Sequence, residues 1–147
     1  MTEFGRNKKA YHDYELLEEF EAGISLLGQE VKSVRRGRVQ LKGSYVAILS
    51  DGPYTMGIHI TPYPFAHKPV DPVRKRKLLL NQKEIDKLQK AEQTSGLSII
   101  PLALYDRKGL IKLKIAIAKG RKMHDKREKM KQDTMNRQVD RIVKQFR

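Results

Sequence analysis

From Tyr14 to Leu26 the even positions are Tyr14, Leu16, Glu18, Phe20, Ala22, Ile24 and Leu26, while Glu15, Glu19, Glu21 and Ser25 hold odd ones. A period of two sends alternate side chains to opposite faces, so the segment reads as a strand with its apolar face inward. The pattern overrides the helical propensity of its Glu, Leu and Ala residues. Ser44 to Leu49 and Tyr54 to Ile60 predict two further strands joined through Asp51-Gly52, a hairpin signal that Pro53 weakens. Leu97 to Tyr105 and Leu110 to Ala118 predict another pair around Asp106-Arg107-Lys108-Gly109. In the last of these Ile111, Leu113, Ile115 and Ile117 share one face, which forces Lys112 and Lys114 onto the other. Pro101 has no amide proton for a ladder bond, so its strand should be an edge or bulge there.

Helical spacing replaces alternation in two places. Gln29 to Arg36 predicts a short helix with Val31 and Val34 three apart, basic Arg35 and Arg36 in its last turn, and Gly37 as terminator. Asn81 to Thr94 carries a fuller signature: Asn81 can cap, Glu84 sits at the reciprocal position, Leu80 and Ile85 can form a staple, and Gly96 closes it. Pro62 to Arg76 holds four of the six prolines and ends in Arg74-Lys75-Arg76-Lys77, which reads as a surface loop. Five or more strands, two short helices and no alternating strand-helix order predict a mainly β fold, a small antiparallel barrel or sandwich.

Charge alters this picture at the C-terminus. Residues 121–147 contain no glycine or proline and hold ten Lys or Arg against four Asp or Glu, contributing +6 of a net +14. The organisation expected is thus a domain over residues 1–120 and a basic, helix-competent tail over 121–147. With 147 residues and 39% hydrophobic content, one modest core is expected. The absence of cysteine excludes disulfides and thiolate-bound zinc and fits a reducing compartment. No window approaches the roughly 18 apolar residues of a membrane span, and residues 1–9 lack a signal peptide's apolar stretch, so a cytoplasmic protein is expected. Nucleic acid, anionic lipid and acidic proteins remain as partners for so basic a chain, with lipid the least supported.

Catalytic signals are sparse. His12, His59, His67 and His124 show no metal-ligand spacing, and a ribonuclease pairing two of them with a lysine would need the fold to assemble the set. Lys119-Gly120-Arg121-Lys122 lacks phosphate-loop spacing, so no cofactor is expected. Cations instead cluster in four groups: Asn7-Lys8-Lys9 with His12, Lys32 with Arg35, Arg36 and Arg38, Arg74 to Lys77, and Lys112 with Lys114. Each alone reads as a solvated face; together they exceed what solubility requires, and each phosphate neutralised would add about one unit of salt slope. Charge alone does not separate RNA from DNA, but a small barrel without a recognition helix tilts toward single-stranded or irregular RNA. Tyr11, His12 and Tyr14 are placed either to stack on bases or to pack at the barrel's mouth.

The order of short motifs adds a second line. Asn7-Lys8-Lys9-Ala10-Tyr11-His12-Asp13-Tyr14, Glu21-Ala22-Gly23, Gly28-Gln29-Glu30-Val31-Lys32-Ser33, Ser44-Tyr45, Asp71-Pro72, Arg76-Lys77-Leu78-Leu79-Leu80-Asn81 and Ala118-Lys119-Gly120-Arg121-Lys122 with Asp125-Lys126-Arg127-Glu128 follow one another in unbroken order. From Asn7 to about Lys131 this resembles the small protein B family, bacterial tmRNA-binding proteins of trans-translation. The resemblance implies an oligonucleotide-binding-fold barrel and no enzymatic activity. Such a protein would hold the tRNA-like domain of tmRNA and deliver it, aminoacylated, to the A site of a stalled ribosome. Elongation factor Tu with GTP would carry the charged RNA.

By the same resemblance the RNA face would include Asn7, His12, Glu21, Leu79, Asn81 and Lys112, with Lys32 joining from the second cationic group. A carboxylate such as Glu21 facing a polyanion must accept from base or ribose donors, so it would specify rather than attract. Leu79 also reads as a core residue, and Asn81 as a helix cap. In the family the tail is mobile in solution and helical in the vacant mRNA channel. His124 would then stack in the decoding centre, Asp125, Lys126 and Arg127 would contact small-subunit ribosomal RNA, and Ile142 and Val143 would anchor the far end. Met135, Val139, Ile142, Val143 and Phe146 form one helical stripe that suits such a channel, with a helix folded back on the barrel as the alternative. Gly43 departs from the family, which usually has an acidic residue before Ser44-Tyr45. A structural ribosomal protein and a ribonuclease stand as the rival classes.

Overall fold

A computed structural model describes residues 2–120 of the chain. In chain order its elements are β1 (Glu3–Arg6), α1 (Lys8–Asp13), β2 (Tyr14–Ile24), α2 (Gly28–Arg35), β3 (Val39–Gln40), β4 (Tyr45–Leu49), β5 (Gly52–Met56), β6 (His59–Ile60), β7 (Arg76–Leu79), α3 (Gln82–Glu92), β8 (Leu97–Arg107) and β9 (Leu110–Gly120). Seven strands form one antiparallel sheet in the order β1-β8-β9-β2-β7-β5-β4, and β3 pairs with β6. The curl of this sheet brings β4 against β8, and α3 packs on both at the seam. The result is the antiparallel barrel with short helices that the sequence predicts.

The long hairpin β8–β9 and its neighbour β2 are the frame. Lys108 (φ 52°) and Gly109 (φ 82°) turn the hairpin in the left-handed region that two-residue turns demand. Phe20, Ile24, Leu104, Leu113, Ile115 and Ile117 face inward and meet Val34 of α2, Leu78 of β7 and Leu88 of α3 in the main core. Each such side chain is worth about 1.5–3 kcal/mol when fully removed from water. A smaller cluster lies on the outer face, where Ala10 of α1 packs on Ile100, Leu102, Ala116 and Ala118.

Three expectations are corrected. In β2 the register shifts between Leu16 and Glu18, a bulge that turns Tyr14 and Leu16 to the outer cluster while Leu17 joins the main core. The single strand expected over Tyr54 to Ile60 is two, because Gly57 takes φ 83° and redirects the chain to pair with β3. Before Tyr14, where the pattern marks no element, β1 pairs with β8, and Asn7 caps α1. The expected loop ends earlier than Arg76, which begins β7 and is fully buried. By contrast, the register of β8 and β9 does shift between Pro101 and Ala103, a bulge that removes the need for a proline donor. Gly43 takes φ 78° in a tight turn.

Candidate nucleic-acid interface

Antiparallel register assembles a patch from residues far apart in the chain. Gly23 of β2 lies between Leu79 of β7 and Lys112 of β9, and Lys112 lies opposite Tyr105 of β8. Two residues along β2, Glu21 lies opposite Lys114, which lies opposite Ala103. Side chains alternate across a sheet, so all of these stand on the outer face while Ala22, Leu78, Leu104 and Leu113 fill the core. Gly23 has a steric role. A Cβ there would sit 3.1 Å from Leu79 Cβ, so its absence lets Leu79 lie across β2 with 63% of its surface exposed. Exposing so large an apolar side chain beside cations is the arrangement expected of a contact surface.

Glu21 is ion-paired with Arg107, and its charge acts on the neighbouring Tyr105 phenol. Burial of that phenol, and then the neighbouring Glu21 charge, push Tyr105 up to about 12. Glu19 pairs with Lys114 at 3.8 Å. Immediately beyond Leu79, Asn81 is exposed at the start of α3. Its Oδ1 accepts from the Glu84 amide at 2.8 Å, and its own amide donates to Glu84 Oε1 at 3.2 Å. The cap predicted for Asn81 therefore exists, and it fixes where that side chain sits.

Other candidate residues lie elsewhere. His12 projects from α1, 89% exposed at its side chain, with Nδ1 3.0 Å from Asp13 Oδ1. Tyr11 and Tyr14 pack on the outer cluster, and the Arg6 guanidinium lies 4.7 Å from the Tyr11 ring centre. Asn7 corrects its expected direct role. It is 4% exposed, its Nδ2 donates to Leu41 O at 3.3 Å and Pro101 O at 3.0 Å, and its Oδ1 accepts from Ala10 N at 3.2 Å. Asn7 thus ties α1 to the barrel and positions His12 rather than offering a surface of its own. Lys32 is on α2, where its Nζ lies 5.0 Å from the Tyr63 ring centre, apart from the Glu21 row.

The run Arg74 to Lys77 is likewise not the uniform cationic surface expected. Arg76 is 0% exposed; its Nε donates to Glu30 Oε2 at 2.7 Å, its Nη1 to Ile58 O at 2.9 Å and its Nη2 to Pro72 O at 3.0 Å. Arg74 donates to the same carboxylate, as does the Leu27 amide at 2.9 Å. Burial pushes Glu30 up, but the bonds from Arg74, Leu27 and Arg76 outweigh it and the net shift is downward. These two arginines are therefore spent on holding α2 to the 61–75 segment.

Sequence reasoning passed over Gly23, Tyr105 and Arg107. A glycine inside a strand does signal close backbone approach, so Gly23 was readable; nothing local marks Arg107 as the partner of a residue 86 positions earlier, or Tyr105 as its neighbour. Among the described residues, no three His, Asp or Glu side chains gather to hold a metal ion, and no helix is long and apolar enough to cross a membrane. His124, Asp125, Lys126, Arg127, Ile142 and Val143, with the rest of the expected tail, lie outside the described residues.

Known proteins resemble the chain over nearly its whole length. The family model described as SmpB protein matches residues 4–145. The SsrA-binding protein of Syntrophobacter fumaroxidans is 50% identical over 143 residues, covering 97% of this chain and 89% of that protein. The SsrA-binding protein of Rubrobacter xylanophilus is 46% identical over 146 residues, covering 99% of this chain and 97% of its own. Among solved structures, a chain from "tmRNA-SmpB: a journey to the center of the bacterial ribosome" superimposes with a TM-score of 0.69 at 41% identity, covering 82% of this chain and 86% of that one.

Proposed function

The chain belongs to the SmpB protein family, and on that premise we propose that it is a non-enzymatic adaptor that binds tmRNA and takes part in rescuing stalled ribosomes. The observation that carries this reading is the outer-face row in which exposed Leu79, Gly23 and Lys112 lie beside Glu21 and the capped Asn81. Each contributes a different interaction. Lys112 supplies charge for phosphate, Leu79 supplies an apolar edge for a sugar or base, and Glu21 and Asn81 supply hydrogen-bonding groups that can discriminate among donors. A folded tRNA-like domain, irregular in shape and rich in 2′-hydroxyls, matches such a mixed surface better than a uniform duplex does. His12, projecting from α1 next to the buried Asn7, would add a separate contact.

In this reading the barrel of residues 1–120 holds the RNA, and delivery to the A site draws on elongation factor Tu with GTP, which carries the aminoacylated tmRNA. The basic tail, residues 121–147, would occupy the mRNA channel beyond the decoding centre. There His124 would stack, Asp125, Lys126 and Arg127 would meet ribosomal RNA, and Ile142 and Val143 would anchor the end. The site of action is the cytoplasm, where ribosomes stall. Deleting residues 125–147 separates the two halves of the proposal: tmRNA affinity should stay within about threefold of the intact chain, an energy change below ~0.7 kcal/mol. Tagging of stalled peptides should be abolished. Normal tagging by the truncated chain would refute the role given to the tail.

A further inference from the structure

We propose that the face built from α2 and the proline-rich 61–75 segment is a second RNA-binding surface, one that stacks an unpaired base on Phe65 and holds the adjoining phosphates. Phe65 is 78% exposed, far more than any other described aromatic of its size, and its ring meets Tyr63 edge-on at 5.6 Å and 70°. The Tyr63 ring is in turn flanked by Lys32 Nζ at 5.0 Å and the Arg36 guanidinium at 5.3 Å. Aromatic planes interleaved with cations are what single-stranded RNA requires: a π-face for each base and a charge for each phosphate.

The charge balance of the face points the same way. Residues 28–38 and 61–75 carry Lys32, Arg35, Arg36, Arg38, Lys68, Arg74 and Lys75 against Glu30 and Asp71. Glu30 is 2% exposed and already bound to Arg74 and Arg76, so it does not offset those cations at the surface. Arg35 is partly engaged, donating to Gly109 O at 2.9 Å, while Lys32, Arg36, Arg38 and Lys68 all face solvent. Nor is the aromatic held on a loose loop. Gln29 Nε2 donates to Lys68 O at 2.8 Å, Arg76 donates to Pro72 O, and Ile60 N donates to Pro72 O at 2.9 Å. A shallow cavity of about 400 Å³, lined by Gln29, Ala66 and His67, leaves room for a base on the same face. This surface shares no residue with the Glu21–Leu79–Lys112 row, so one chain could hold two RNA elements at once.

The test uses the full chain with a twelve-nucleotide oligouridylate and, for comparison, a fully paired twelve-base-pair RNA. Phe65→Ala with Tyr63→Ala should weaken oligouridylate binding by roughly five- to hundredfold, the range that loss of base–aromatic stacking gives, with the salt slope unchanged. Arg36→Ala should lower the slope by about one. Gln89→Ala, exposed on α3 and part of neither surface, should leave oligouridylate binding as it was. With 4-thiouridine in the oligonucleotide, crosslinks should map to Tyr63 or Phe65. Unchanged affinity in the Phe65/Tyr63 variant, equal weakening on the duplex, or crosslinks confined to other elements would each overturn the proposal. So would failure to bind RNA through this face while the same substitutions abolish binding to vesicles of phosphatidylcholine with a third phosphatidylserine.

Discussion

Removing the Glu30 carboxylate tests how the α2 face is held together. In Glu30→Ala, Arg76 keeps only its bonds to Ile58 O and Pro72 O, and its charge stays at a position with 0% exposure. The two contacts it loses are at 2.7 Å from Nε and 2.6 Å from Nη2, and Arg74 loses its partner at the same time. Leaving one member of a buried pair uncompensated costs about 3–5 kcal/mol, a large part of the roughly 5–15 kcal/mol that a domain has in total. Urea unfolding followed by far-ultraviolet circular dichroism at pH 7 measures it directly. The double variant Glu30→Met with Arg76→Met removes both charges and should recover most of the loss, because well-packed apolar residues replace such pairs at little or no cost. pH supplies an independent check. The folded-state value for Glu30 lies below its ordinary 4.5, so its stabilisation is present above that pH and is lost as pH falls through the lower folded value. Glu30→Gln should lack this acid-induced loss. A penalty below about 1 kcal/mol for Glu30→Ala, or an identical acid profile in Glu30→Gln, would refute the reasoning.

Two further outcomes follow from single side chains. Asn7→Ala removes a helix cap and strands the Leu41 and Pro101 carbonyls, so it should cost about 2–3 kcal/mol and weaken RNA binding only through lost order in α1; a loss below about 1 kcal/mol by the same urea assay would contradict this. In a difference titration at 295 nm between the intact chain and Tyr105→Phe, the Tyr105 phenol should ionise near 12, and Glu21→Gln should lower that midpoint without restoring the ordinary value, since burial is the larger cause. Because the folded value is raised, the stability this group contributes is intact below about pH 10 and declines as pH rises toward 12.

The sequence made legible those elements whose signal is local. The alternation in Leu110 to Ala118, the Lys108-Gly109 turn and the Asn81/Glu84 capping pair each need only a few neighbouring residues, and all three appear where expected. Elements that depend on distant partners were hidden. Six residues from Lys8 to Asp13 form a helix because Asn7 reaches carbonyls 34 and 94 positions away and Ala10 finds the outer cluster; an isolated helix of that length would not persist. Arg74-Lys75-Arg76-Lys77 looks like surface because nothing nearby announces that Glu30, 46 positions earlier, takes Arg76 into the interior. The bulge in β2 exchanges the faces of Leu16 and Leu17 with no glycine or proline to mark it. For the candidate site, alternation placed Lys112 on the outer face, but its alignment with Gly23 and Leu79 is a matter of sheet register across β9, β2 and β7. Motif resemblance named Lys112 and Leu79 together, and the register through Gly23 supplies the physical reason they lie on one face.

Affinity for tmRNA measured against a scrambled RNA of equal length, at physiological ionic strength and with Lys112→Ala and Glu21→Ala in parallel, tests the central claim most directly. The account predicts a preference of at least about tenfold, equivalent to ~1.4 kcal/mol. Lys112→Ala should weaken binding to both RNAs and lower the salt slope by about one, while Glu21→Ala should erode the preference itself. Equal affinity of the intact chain for the two RNAs would contradict it.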